Sequence, residues 1–299
     1  MGRKRLLNRL GAVLALVLVT APLTACGGGG SADEGEPFTV GLVSTGIVSR
    51  ELVAAVDSGY LQEAGFTVTM EKLRSDTQLT PLMANGEMPV AYLTYVTTLT
   101  ALNAGIPLRM VSGTQRLEPG IQTVWTRADS PIAGAADMRG ARIGVSAVGG
   151  YGNLLFGEAL AEAGLTLDDV TLTEVAFSDM AAALERGDID VGWLPAPFAA
   201  AERTKPDSRL REIIDFNDVG TLAGLPQGGI AATAEFAEEN PRALAALREQ
   251  QQRVADELAA DPARDRDLQI RLGEYSPEVA AELPLQDYAG AFTAEDLTR

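Results

Sequence analysis

The 299-residue sequence contains no histidine and one cysteine, Cys26. These two shortages together remove Ser-His and Cys-His nucleophilic catalysis, histidine-ligated metals, thiolate clusters and disulfides. Few hydrolytic or redox mechanisms survive, so no catalytic residue, cofactor or metal is expected. Positive charge is also scarce. Twenty-four Lys and Arg stand against 41 Asp and Glu, a formal charge of −17, which argues against any general affinity for nucleic acid or an anionic membrane surface. Aromatic residues make up only 5%. What remains is ordinary globular material, 46% hydrophobic and 22% charged, in a chain long enough for two lobes with a core each.

The N-terminus accounts for the lone cysteine. Arg3, Lys4, Arg5 and Arg9 form a basic start, and Leu10 to Thr20 is an apolar run too short to span a bilayer. Leu23-Thr24-Ala25-Cys26 then resembles a bacterial lipobox, in which the cysteine becomes the lipidated first residue of the mature protein. The alternative is a plain secretory signal cleaved near Ala25. Residues 1–25 carry four cations and no acid, so their removal takes the charge to 20 − 41 = −21. GGGGSADEGE, residues 27–36, reads as a tether that, with Cys26, fills residues 26–36, and the folded body is expected from Pro37.

From Phe38 the chain alternates strand and helix. Strands are expected over 38–44, 66–73, 90–93 and 108–112, with helices over 50–58, 77–85 and 96–104 between them. This is the rhythm of βα units on a mainly parallel sheet. The pattern then restarts. Gly41-Leu42-Val43-Ser44 is echoed by Gly144-Val145-Ser146, and Glu63-Ala64-Gly65 by Glu162-Ala163-Gly164. Residues 85–93 (NGEMPVAYL) are echoed by 186–194 (RGDIDVGWL). The offsets are 144 − 41 = 103, 164 − 65 = 99 and 187 − 86 = 101. Three echoes at nearly one offset point to two lobes of one plan; the alternative is that similar βα units converge on similar words, which still leaves two βα lobes. A strand over 229–233 and a long helix over 241–260, opened by Pro241, follow.

The stretch 141–164 concentrates the functional signal. An apolar strand (143–146) runs into a glycine turn (Gly149, Gly150, Gly152) and then into a helix closed by Gly164. Such a turn aims backbone N–H groups at whatever lies above the helix start. It has the glycine frame of a P-loop, but Gly150 and Tyr151 stand where Lys and Ser or Thr belong, and G-x-G-x-x-G is absent. A nucleotide loop is therefore excluded.

The ordered words DSGYLQEAGFTVTM (57–70), LMANGEMPVAY (82–92), SPIAGAADMRGARIGV (130–145), LERGDIDVGWLPAPF (184–198) and AEFAEENP (234–241) resemble the substrate-binding lipoproteins of ABC importers. The branch is that of nitrate, sulfonate and taurine binders, which also includes thiamine-pyrimidine binders. The resemblance implies a type II periplasmic-binding fold: two α/β lobes with mainly parallel sheets, joined by hinge crossovers near 113–122 and 221–229. Lobe I would be 37–113 plus 226–299 and lobe II 114–225. It also implies an extracytoplasmic monomer, lipid-anchored to the membrane at Cys26. Such a protein captures a small sulfonate, carboxylate or pyrimidine-like solute and delivers it to an ABC permease with its ATPase. The alternatives are a periplasmic-binding-fold enzyme of pyrimidine or menaquinone precursor metabolism, or a sensor lipoprotein without a transporter. The synthase chemistry resembles one that needs histidine.

In open α/β sheets, ligands sit beyond the carboxyl ends of the strands. The first lobe presents Ser44, Thr45, Gly46, Ser75, Thr77, Thr94 and Tyr95 there; the second presents Ser146, Gly149, Gly150, Tyr151, Asn153, Phe177, Trp193, Pro195 and Phe198. Hydroxyls and helix-start amides can hold a polar group, and aromatic faces an apolar body. Arg74 and Arg116 are the cations nearest the strand ends or hinge, candidates to pair with a ligand's anionic group.

Overall fold

The computed structural model describes residues 35–42, 50–73, 78–273 and 275–284. The expected signal, Cys26, the tether up to residue 34, Ser44, Thr45, Gly46, Arg74, Ser75 and Thr77 lie outside the described residues. The strand β1 (Gly35–Leu42) begins two residues before the expected start of the body. It is followed by α1 (Arg50–Asp57), α2 (Tyr60–Glu63), β2 (Phe66–Lys72), α3 (Leu79–Ala84), β3 (Val90–Thr94), α4 (Tyr95–Asn103) and β4 (Leu108–Arg116). A second series runs β5 (Gln122–Arg127), β6 (Arg142–Val145), α5 (Tyr151–Glu162), β7 (Thr171–Glu174), α6 (Phe177–Arg186), β8 (Val191–Pro195), α7 (Ala196–Arg203) and β9 (Leu210–Asp215). The chain closes with β10 (Pro226–Thr233), α8 (Ala234–Glu239), α9 (Pro241–Ala260), α10 (Pro262–Gly273) and α11 (Pro277–Glu282).

Local chemistry sets these boundaries. Thr94 and Thr233 cap α4 and α8, their hydroxyls accepting the N–H groups of Thr97 and Phe236. Gly187 ends α6 in the left-handed region, at φ 75°, where a side chain would be strained. Pro241 opens α9 as its pattern predicts.

Two five-stranded sheets result, ordered β2-β1-β3-β10-β4 and β7-β6-β8-β5-β9. In each, four strands point one way. The fifth, β10 or β5, lies between two of them and runs antiparallel to both. The expected parallel character therefore holds for strand direction, while half of each ladder is antiparallel. Each inserted strand is the one delivered by a crossover from the other sheet. The crossovers occupy residues 117–121 and 216–225, close to the expected positions, and run side by side: the Leu117 N–H donates to the Leu225 carbonyl at 2.8 Å.

The repeated words have a packing cause. A Cβ at Gly41 would lie 2.1 Å from the Met88 sulfur, and one at Gly144 would lie 2.5 Å from Cδ1 of Ile189, the residue that stands at the Met88 position of the echo. In both sheets an apolar side chain at the same place in the repeated word thus closes over a strand glycine, filling the space that the missing side chain leaves.

Each sheet has its own core. Val40, Leu42, Val90, Tyr92 and Ile230 pack with Leu52 of α1 and Leu247 of α9. Ile143, Val145, Leu155, Phe156, Val191 and Phe216 form the second core. Leu283 also belongs to that second core, with Val279 packed against it and α11 lying on α7. The end of the described chain thus sits with the second sheet, although α9 packs on α1 beside the first.

Several elements escape the hydropathy pattern, β5, β9, α10 and α11 among them. In β5 the buried side chains are largely polar. Thr123 and Thr126 satisfy their hydroxyls on the carbonyls of Leu194 and Asp190, at 2.9 and 2.8 Å. A central strand built that way has no apolar run to announce it.

Candidate functional site

The ends of β6 and β8 and the starts of α5, α6 and α7 gather four aromatic rings. Phe177, first residue of α6, stands edge-on to Trp193 with ring centroids 4.8 Å apart at 88°. Tyr151, first residue of α5, also meets Trp193, with centroids 6.1 Å apart at 64°, and Phe198 lies 5.8 Å from Phe177. Edge-to-face contacts of this kind favour the ring quadrupoles as well as burial. Gly152 makes the approach possible: a Cβ there would lie 3.2 Å from the Trp193 ring.

The Tyr151 hydroxyl is sealed from water and has no hydrogen-bond partner among the described residues. Burial raises its pKa, so it stays a protonated donor. Such groups are rare in folded proteins and usually mark a missing partner. Val96, second residue of α4, packs against the core that contains Tyr151 and Trp193. α4, from the first sheet, meets α5, from the second.

The glycine turn differs from its expected role as a set of open donors. The Val148 N–H donates to the Glu174 carboxylate at 2.9 Å, and the Gly149 N–H donates to Asn153 Oδ1 at 2.7 Å. Two of its amides are thus occupied by the chain's own oxygens, one of them anionic. Gly149 holds φ 81° on the surface and Gly150 is buried beside Ala147. Ser146 is half-buried at the end of β6. Thr94 spends its hydroxyl on capping α4, and half-buried Tyr95 is the first residue of that helix. Pro195 precedes α7 at its cap position. The guanidinium of Arg116 donates to the Gly224 carbonyl at 3.2 Å, a bond between the two crossover regions.

One buried residue of this neighbourhood was not among the sequence candidates. Gln122 is 4% exposed, and its Oε1 accepts the Trp193 indole N–H at 2.7 Å. A single polar residue after a crossover carries no pattern, so nothing in the sequence marks it. Elsewhere, a groove of about 610 Å³ runs along α5 and β9, lined by Ala159, Glu162, Ile213 and Asp215 among others. It shares no residue with the aromatic cluster.

Comparison with known proteins places the chain in a family and its fold among solved structures. Residues 48–265 match the family model described as NMT1/THI5 like. The alkanesulfonate-binding protein SsuA from Xanthomonas axonopodis pv. citri, solved bound to MOPS, superposes with a TM-score of 0.75. It is 19% identical and the match covers 89% of this chain and 90% of that one. The periplasmic aliphatic sulphonate binding protein SsuA from Escherichia coli gives a TM-score of 0.71 at 18% identity, covering 88% and 84% of the two chains. A curated relative, 4-amino-5-hydroxymethyl-2-methylpyrimidine phosphate synthase of Aspergillus parasiticus, is 24% identical over 225 residues, 71% of this chain. The chain spans 63% of that enzyme's length.

Proposed function

The chain belongs to the NMT1/THI5-like family, and from that premise we propose that it is a solute-binding protein that holds a small organic molecule between its two α/β lobes. The observation that carries this reading is the aromatic cluster with the Tyr151 hydroxyl, unpartnered among the described residues, in the second core, against which Val96 of α4 packs from the first sheet. Rings supply an apolar wall and the phenol a neutral donor, a combination suited to an organic solute with a hydrogen-bond acceptor. A solute stabilises the closed form only by touching both lobes. The lobes proposed are residues 37–113 with 226–299, and 114–225, with the segment at 275–284 reaching across to the second. The solute classes are a sulfonate, a carboxylate or a pyrimidine-like compound, contacted from the first lobe by residues near 44–46, 75–77 and 94–95.

The same reading includes lipidation at Cys26, an extracytoplasmic location on the membrane, a monomeric state, and delivery to an ABC permease with its ATPase. The enzyme alternative, raised by the synthase relative, is disfavoured by the absence of any histidine. A thermal-melting screen across the three solute classes is expected to find one that raises Tm. Tyr151→Phe is expected to remain folded and to lose most of that rise. No shift with any class would overturn the reading.

A further inference from the structure

A line of three hydrogen bonds, two buried and the third half-buried, runs from the aromatic cluster to the crossovers. The Trp193 indole N–H donates to Gln122 Oε1 at 2.7 Å. Gln122 Nε2 donates to Gln227 Oε1 at 2.7 Å. Gln227 Nε2 donates to the Arg116 carbonyl at 3.0 Å. The line passes from β8 through β5, in the second sheet, to β10 and β4, in the first. Gln122 is the first residue of the strand that receives the first crossover, and Gln227 is the second residue of the strand that receives the other.

The direction of the line is forced. An indole nitrogen can only donate and a backbone carbonyl can only accept. With those two ends fixed, turning either amide over would set oxygen against oxygen or N–H against N–H in a site closed to water. Gln122 and Gln227 are 4% and 2% exposed, so water cannot repair a wrong orientation, and each unmatched group would bear its full desolvation cost. The Leu117–Leu225 backbone bond and the Arg116–Gly224 bond tie the crossovers beside it.

We propose that Gln122 and Gln227 are positioning residues, which relay the geometry of the crossovers to Trp193, so that hinge movement and the setting of the aromatic wall are one event. Trp193 sits edge-on to Phe177 and Tyr151 at once, so a change in its tilt alters both contacts. The functional sense of the relay rests on the solute-binding reading above, but its existence does not.

The test is performed on the ligand-free protein by following the two indole N–H resonances, of Trp125 and Trp193, in ¹⁵N-labelled samples. Trp125→Phe identifies which is which. In Gln227→Met, at a residue in contact with Gln122 but separated from Trp193 by it, the Gln122–Gln227 and Gln227–Arg116 bonds are lost while the Trp193–Gln122 bond keeps both partners. The Trp193 indole proton is expected to shift and to exchange with solvent faster, because the Gln122 amide that holds it is no longer fixed. The Trp125 indole, bonded to Thr123 Oγ1 at 2.8 Å, is expected to stay put.

Gln227→Glu provides the control that a merely structural role would not reproduce. An ionised carboxylate cannot donate to the Arg116 carbonyl, whereas a protonated one can, while still accepting from Gln122. Acidification should therefore return the Trp193 resonance of this variant towards the wild-type position. If Gln227→Met fails to fold, the acid and neutral spectra of Gln227→Glu decide alone. A Trp193 resonance indifferent to Gln227→Met in a folded protein, or to pH in Gln227→Glu, overturns the relay. A responsive Trp193 together with a negative solute screen would keep the relay and discard the solute-binding reading.

Discussion

Glu51, second residue of α1, is 3% exposed and accepts a hydrogen bond from Gln251 at 2.9 Å. Burial pushes its pKa up from 4.5 to about 7. Between those values the folded protein holds a proton that the unfolded chain has released, so stability falls as pH rises through this window. A glutamine there is neutral at every pH. Glu51→Gln is therefore expected to gain stability relative to the parent as pH rises from 5 to 8, by no more than about 3 kcal/mol. Urea unfolding at the two pH values measures it, and an equal difference at both would contradict the assignment. Next to it, Arg50 forms a buried ion pair with Asp265 of α10 at 2.5 Å. Nothing about positions 50 and 51 in the sequence distinguishes them from surface charges, because their burial is caused by α9 and α10, about two hundred residues later.

At the scale of elements, two glycines that look alike in the sequence have different reasons to be glycine. Gly149 needs its left-handed φ of 81° but has open space around it. Gly228 lies in β10, where a Cβ would sit 2.4 Å from the Leu93 carbonyl oxygen and 2.8 Å from the Tyr92 hydroxyl. Gly149→Ala is expected to cost about 1 kcal/mol, the price of the conformation alone. Gly228→Ala forces apart two backbones and is expected to cost about 3 kcal/mol or more. Chemical denaturation of the pair checks this, and equal costs would refute it. The glycine turn at 148–152 was legible as a turn before a helix. That Glu174 and Asn153 already occupy two of its amides was not, because Glu174 comes from the neighbouring strand, β7.

Across the whole molecule, the two sheets are linked by two crossovers and by the α9–α10–α11 segment, which begins against α1 and ends on α7. Leu283, 1% exposed, inserts into the second core. Leu283→Ala is expected to lower stability by about 3 kcal/mol, since the neighbours of a buried leucine relax only partly into its space. Native-state hydrogen exchange is expected to show the loss in β6 and β8 more than in β1 and β2. A loss confined to the first sheet would mean that α11 belongs there.

Periodicity, caps and glycine stops are local, and they made many of the strands and helices and the repeated plan readable from the sequence, whereas the two crossovers were implied only by the resemblance to a known family. The same local signals located the aromatic residues at strand ends, because an apolar strand followed by a turn implies its own terminus. Only the tertiary structure decided that β5 and β10 run antiparallel between two other strands of their sheets, that α11 rests on α7, and that Tyr151, Phe177, Trp193 and Phe198 meet. It also decided the Trp193–Gln122–Gln227 line, whose members are up to 105 residues apart. The physical reason is the same in each case. A hydrogen bond or a ring contact between distant segments depends on which surfaces the chain brings together, and no spacing within one segment encodes that.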